Sequence, residues 1–206
     1  KVREVHYVES APRDQLQPKH FTRSYGKPGD PMPTQTVHVF LAGWNSRHFT
    51  ADPALVKDPF STRRPAWRPD SSGFLFEHIE RGFGAHRVIE IQIPSGKTRA
   101  LIAETAETFV NVFQKGYRKG LDGFSEIIWR SERDGWNHLY LYDGRTGKVK
   151  HQITKGEWVV REVVEVDEEK RQITFKASGR EPGIDPYYFH YYRVNFDGSK
   201  LVKLTD

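Results

Sequence analysis

"WRSERDGWNHLYLYD", residues 129–143, carries aromatic-rich segments on either side of a polar break. Ile127 to Trp129 and Leu139 to Tyr142 predict two strands, because aromatic and β-branched side chains favour a pleated, packed surface. Ser131, Glu132, Arg133, Asp134 and Gly135 predict the turn between them, since an Asp carboxylate bonds nearby backbone N–H groups and Gly accepts unusual φ. Alternate strand residues share a face, so Tyr140 and Tyr142 point one way, Leu139 and Leu141 the other. A strand apolar on both faces must be covered on both, which places Trp129, Tyr140 and Tyr142 between two sheets.

The same design recurs. "RVIEIQIPSGKTRALIAET" (87–105), "HLYLYDGRTGKVKHQITKG" (138–156) and "YYRVNFDGSKLVKLTD" (191–206) each read as a strand, a turn holding Gly and Lys, and a second strand. Gly96, Gly147 and Gly198 recur at about 51 residues, a period typical of propellers and solenoids. "WRPDSSGFLFEHI" (67–79), "LDGFSEIIWRS" (121–131) and "VDEEKRQITFKAS" (167–178) precede the three hairpins, each with Asp at a turn before an apolar strand. Four short antiparallel strands per unit make a propeller blade. The expected fold is therefore all-β: a partial β-propeller of consecutive four-stranded antiparallel blades, about three plus part of a preceding one. The units are 1–60 (the end of a preceding blade with a Pro-rich excursion), 61–108, 109–157 and 158–206. Within the first, "VREVHYVES" reads as a strand, residues 11–33 as an extended loop, 34–43 as a strand and "NSRHFTAD" as turn and edge.

The 206 residues suffice for a substantial core. No apolar run approaches membrane-spanning length. The net charge of +5 invites a nucleic-acid reading, but Lys and Arg are interspersed with Asp and Glu and form no basic run, which argues against one. Absence of cysteine excludes disulfides and thiolate metal sites. The chain begins at Lys1 and its one methionine is Met32, as expected of a processed protein or an excised piece.

Candidate chemistry is sparse. Ser131, Glu132, Asp134 and His138 contain the atoms of a hydrolase triad, but a nucleophile needs a base and an orienting group from elsewhere in the fold. Gly123-Phe124-Ser125-Glu126-Ile127 lacks the second glycine of a nucleophile elbow and runs into a strand rather than a helix. The nine histidines, His6, His20, His38, His48, His78, His86, His138, His151 and His190, are dispersed without metal-ligand spacing. Glu168-Glu169, beside Lys170 and Arg171, reads as a solvated hairpin turn. No cofactor or metal is expected.

The run Ser131-Glu132-Arg133-Asp134-Gly135-Trp136-Asn137-His138-Leu139-Tyr140-Leu141-Tyr142-Asp143, followed by Ile153-Thr154-Lys155-Gly156-Glu157-Trp158, resembles one propeller blade of the dipeptidyl-peptidase IV family of serine peptidases. Tyr25 to Thr34 is similar to that family's Tyr-Pro-Lys-Ala-Gly-x-x-Asn-Pro-Thr segment, departing from it at Gly26, Pro28 and Pro31-Met32-Pro33. The resemblance covers nearly the whole chain, most weakly at 1–24 and 43–64. It implies a propeller joined to an α/β-hydrolase domain, peptide substrates whose N-terminal X-Pro or X-Ala dipeptides are removed, and a periplasmic or extracellular location. By the same resemblance the catalytic Ser, Asp and His lie C-terminal to this segment. The paired glutamates that hold the substrate amine lie N-terminal to it, so Glu168-Glu169 is not that pair. One pocket-lining position is implied within the chain, Phe113, on the strand opening the 109–157 unit. The alternative is a stand-alone propeller-like module binding protein or carbohydrate, which the reading frame beyond Asp206 would distinguish.

An arc of three to four blades cannot close a ring. It is expected to expose aromatic faces at its first and last blades or to cover them with a second copy of the chain, as a homodimer or larger species.

Overall fold

A computed structural model of the protein describes residues 3–42, 46–113 and 116–205. Two compact units divide it, residues 1–35 and 36–206. The first holds one antiparallel hairpin, β1 (Glu4–Glu9) and β2 (Lys19–Ser24), with Tyr7 opposite Phe21. The segment expected to be an extended loop thus contains a strand. Pro18 and Pro28 bracket a proline-free run whose backbone N–H groups remain free to pair with β1, which proline would prevent.

The second unit opens with another hairpin, β3 (His38–Leu41) and β4 (Arg47–Thr50). The residues read as turn and edge therefore include a paired strand. Three four-stranded antiparallel sheets follow. The first has β5 (Pro59–Trp67), β6 (Gly73–Glu80), β7 (Ala85–Gln92) and β8 (Thr98–Thr105). The middle one has β9 (Arg118–Leu121), β10 (Glu126–Ser131), β11 (His138–Asp143) and β12 (Val149–Gln152). The last has β13 (Val159–Asp167), β14 (Gln172–Ser178), β15 (His190–Asn195) and β16 (Val202–Lys203). Each sheet is a simple meander, the four-stranded blade of a partial propeller.

Side-chain alternation stacks the sheets. Ile127, Trp129, Tyr140 and Tyr142 pack on Leu75, Val88, Leu101 and Ile102 of the first sheet. Ile128, Leu139 and Leu141, one residue out of phase, pack on Val160, Ile173, Phe175 and Tyr192 of the last. Phe76, Ile89 and Ile91, on the other face of the first sheet, cover Val39 and Ala51 at the β3–β4 hairpin. Polar groups cross the same seams. Arg68 donates to the Phe124 and Gly144 carbonyls, and Asn137 Nδ2 donates to the Val160 carbonyl at 2.7 Å.

The recurring glycines sit at these seams. Gly96, Gly147 and Gly198 have φ of 73°, 74° and 82°, the left-handed region open to glycine at little cost. A Cβ at Gly147 would lie 2.2 Å from the Leu101 carbonyl oxygen of the neighbouring sheet. We expect Gly147→Ala to destabilise the protein by at least about 2 kcal/mol, from left-handed strain plus that overlap. Gly135, φ 91°, has open space around it, and Gly135→Ala should show only the strain, about 1–2 kcal/mol. Urea denaturation of both variants checks the difference.

The outer face of the last sheet is mixed rather than aromatic throughout. Its strands alternate: Ile173, Phe175 and Ala177 face inward, buried, while Gln172, Thr174 and Lys176 take the other face with Asn195, Arg193 and Tyr191 opposite them, the Lys176 ammonium lying 5.4 Å over the Tyr191 ring. β14 is half-polar where β10 is apolar on both sides, and its outer face mixes polar side chains with Tyr191 and Val202.

Candidate functional site

Three connections emerge at one end of the sheets: β6–β7 (81–84), β8–β9 (106–117) and β10–β11 (132–137). Phe113 lies in the second of these, four residues short of β9's neighbour Tyr117, and not on a strand as the sequence resemblance implied. It is 67% exposed. Its ring meets Phe83 at 5.0 Å and Phe60 at 5.8 Å, both edge-on, and Phe60 meets Phe83 at 4.9 Å. Edge-to-face contacts of this kind align a positive ring edge with a negative ring face. Phe83 is held at φ 60°, and its carbonyl accepts the Val110 N–H at 2.7 Å, which ties the loop carrying Phe113 to the turn carrying Phe83. The three rings form a partly exposed apolar platform.

Beside it lies a buried charge cluster. Glu77 on β6 is 0% exposed. Its carboxylate accepts from Arg63 Nε at 3.0 Å, Arg64 Nη1 at 3.1 Å and His86 Nε2 at 3.1 Å, and Arg118 Nε lies 3.4 Å away. Burial alone would raise the Glu77 pKa; the His86 hydrogen bond and the charges of Arg64, His86 and Arg118 reverse this and hold it at about 2. The His86 ring lies 4.8 Å from that of Trp129, tilted 51° to it. Trp129 Nε1 in turn donates to Glu104 at 3.0 Å, and Glu104 also accepts from Ser131 Oγ at 2.8 Å and from Arg133. A cavity of about 80 Å³ opens here, walled by His86, Glu104, Phe109, Val110, Trp129 and Ser131.

The residues with triad chemistry are not assembled into one. Ser131 Oγ is engaged by Glu104 and Arg133. His138, on the facing strand, spends both ring nitrogens elsewhere, on Thr154 Oγ1 at 3.0 Å and the Gly156 carbonyl at 2.8 Å. Asp134 accepts the Trp136 N–H within the turn. Gly123 and Phe124 sit in a 3-10 turn leading into β10. Glu168 pairs with Lys119 at 3.0 Å in the β13–β14 turn, away from the phenylalanines.

The histidines are less dispersed than the sequence implied. His6 and His20 share a hydrogen bond of 2.9 Å across β1–β2, and His38 and His48 one of 2.8 Å across β3–β4. Among the described residues no three His, Asp or Glu side chains gather as metal ligands would. Sequence reasoning missed Phe60, Phe83 and the Arg63-Arg64-Glu77-Arg118 cluster. Its available signals were the Arg63-Arg64-Pro65 run, unusual inside a strand, and an apolar Phe83 between two turn glycines.

With this geometry in view, the sequence profile described as "Dipeptidyl peptidase IV (DPP IV) N-terminal region" matches residues 1–206. The chain belongs to that family. Dipeptidyl peptidase 4 of Arthroderma otae is 23% identical over 194 residues, 92% of this chain and 24% of the relative. That of Trichophyton rubrum is 25% identical over the same span. The crystal structure of Porphyromonas gingivalis dipeptidyl peptidase 4 superposes with a TM-score of 0.67 at 19% identity, covering 97% of this chain and 27% of that one. This DPP IV N-terminal region therefore spans about a quarter of the length of the relatives it matches.

Proposed function

We propose that the chain is the non-catalytic propeller portion of a dipeptidyl-peptidase IV-like serine exopeptidase. Its blades enclose the active site of an α/β-hydrolase domain and admit peptides from which N-terminal X-Pro or X-Ala dipeptides are removed. The observation that carries this reading is the family match over the whole segment. The separate engagements of Ser131 and His138 support a non-catalytic role for these sheets. Phe113, on its platform with Phe60 and Phe83, lines the peptide-binding pocket. The compartment that suits such an enzyme is the periplasm or the cell exterior; among the described residues no helix is long and apolar enough to cross a membrane.

The full-length protein is expected to hydrolyse Gly-Pro-p-nitroanilide and the 206-residue chain alone to leave it intact. Phe113→Ala in the full-length protein should raise KM about three- to tenfold with kcat little changed, as loss of uniform apolar binding does. Turnover by the isolated chain that vanishes on Ser131→Ala would overturn the non-catalytic assignment. An unchanged KM in Phe113→Ala would remove that residue from the pocket.

A further inference from the structure

The guanidinium cluster carries more positive charge than it has partners for. Successive residues of a strand point to opposite faces, yet Arg63 and Arg64 both reach Glu77. The register of β5 against β6 breaks between Arg63 and Ala66, and Arg64 is held at φ 52°, which turns both side chains to one side. A non-glycine residue held in the left-handed region marks a place where the surroundings maintain strain, as functional sites do. Arg118 is brought to the same carboxylate from β9. Among the described residues Glu77 is the one acidic partner of all three.

Arg118 supplies the second, independent observation. Its side chain is 5% exposed. One terminal nitrogen donates to the Arg64 carbonyl, while the other, Nη1, is buried and has no hydrogen-bond partner among the described residues. A buried charged donor without an acceptor is costly and rare in native proteins. The outward-facing donors are loosely held: Arg63 Nη2 reaches the Val112 carbonyl at 3.5 Å and Arg64 Nη2 the Gly116 carbonyl at 3.4 Å. Both distances lie beyond the usual range for N–H···O bonds, so an anionic acceptor would displace those carbonyls readily.

We propose that Arg63, Arg64 and Arg118 bind a carboxylate, that of an acidic residue in a peptide whose apolar neighbour rests on the phenylalanine platform. Guanidinium forks match a carboxylate's two oxygens. A peptide is favoured over a free anion by adjacency: Phe60 precedes Arg63 by three residues on β5, and Phe113 follows Val112, whose carbonyl Arg63 touches. A small inorganic ion would leave that platform unused. The assignment rests on the reading of Phe113 as part of a peptide pocket.

The test uses the full-length protein with its catalytic serine replaced by alanine, so that turnover does not obscure binding, and compares Ala-Pro-Glu-Phe-Gly-amide with Ala-Pro-Gln-Phe-Gly-amide by calorimetry. The Glu peptide should bind about tenfold more tightly at low salt, with the gap narrowing at high salt. The gap should vanish in Arg64→Gln, whose half-exposed position makes misfolding a small concern, and in Arg118→Gln. Equal affinities in the wild type, or a gap surviving intact in Arg64→Gln, would overturn the proposal. Inorganic phosphate binding that depends on Arg64, with no Glu–Gln difference, would show an anion site unrelated to peptides and overturn it too. Phe113→Ala separates the two readings. Weaker binding of both peptides supports the pocket, whereas unchanged affinity for both sinks the pocket reading whatever the Glu–Gln gap shows.

Discussion

Trp129→Ala should destabilise the protein by about 3–5 kcal/mol, the range for truncating a large aromatic in a packed core. Trp129 is 1% exposed and lies between the first and middle sheets. Truncation removes the ring beside His86 and strips Glu104 of one of its buried donors. Trp129→Phe retains a ring but not the Nε1 donor, and should cost about 1–3 kcal/mol, the penalty for an acceptor left short of a partner. Urea midpoints for the two variants measure the packing and hydrogen-bond contributions separately. A loss below about 1 kcal/mol in Trp129→Ala would contradict the stacked-sheet arrangement.

Glu77→Gln is expected to have a comparable effect, about 3–5 kcal/mol near neutral pH, because it leaves guanidiniums buried without their counter-charge. The effect should depend on pH in a definite direction. The carboxyl is depressed from 4.5 to about 2 in the folded state. Its contribution is therefore fully present above pH 4.5, where the group is charged in both states, and is lost as pH falls from 4.5 towards 2. A displacement of that size corresponds to about 3 kcal/mol. The stability difference between wild type and Glu77→Gln should close over that interval. A difference independent of pH between 5 and 2 would show that Glu77 is not the charged hub of the cluster.

The stacking of sheets was legible in the sequence because it rests on alternation. Tyr140 and Tyr142 against Leu139 and Leu141 need only the two-residue strand period to be assigned opposite faces, and those faces are the observed ones. The alternation of the last sheet is equally written in "QITFKAS", whose Gln172, Thr174 and Lys176 share the outer face. The site was less legible. Glu77 and Arg118 are separated by about 40 residues and meet only because β6 and β9 belong to stacked sheets. Arg63 and Arg64 converge through a left-handed residue inside a strand, which no periodicity announces. Phe113 was reached by resemblance alone, and its two ring partners come from a strand and a turn distant in sequence.

The glycine turns have an evolutionary corollary. Gly96 abuts Phe49, Gly147 abuts the Leu101 carbonyl and Gly198 the Ile153 carbonyl, so each unit touches its predecessor through the same corner. A chain built on one reusable junction can lengthen or shorten by whole duplicated units without inventing a new contact. Change within a unit would then fall on loops such as 106–113, at the opposite end of the strands, where what is bound can vary while the scaffold is inherited intact.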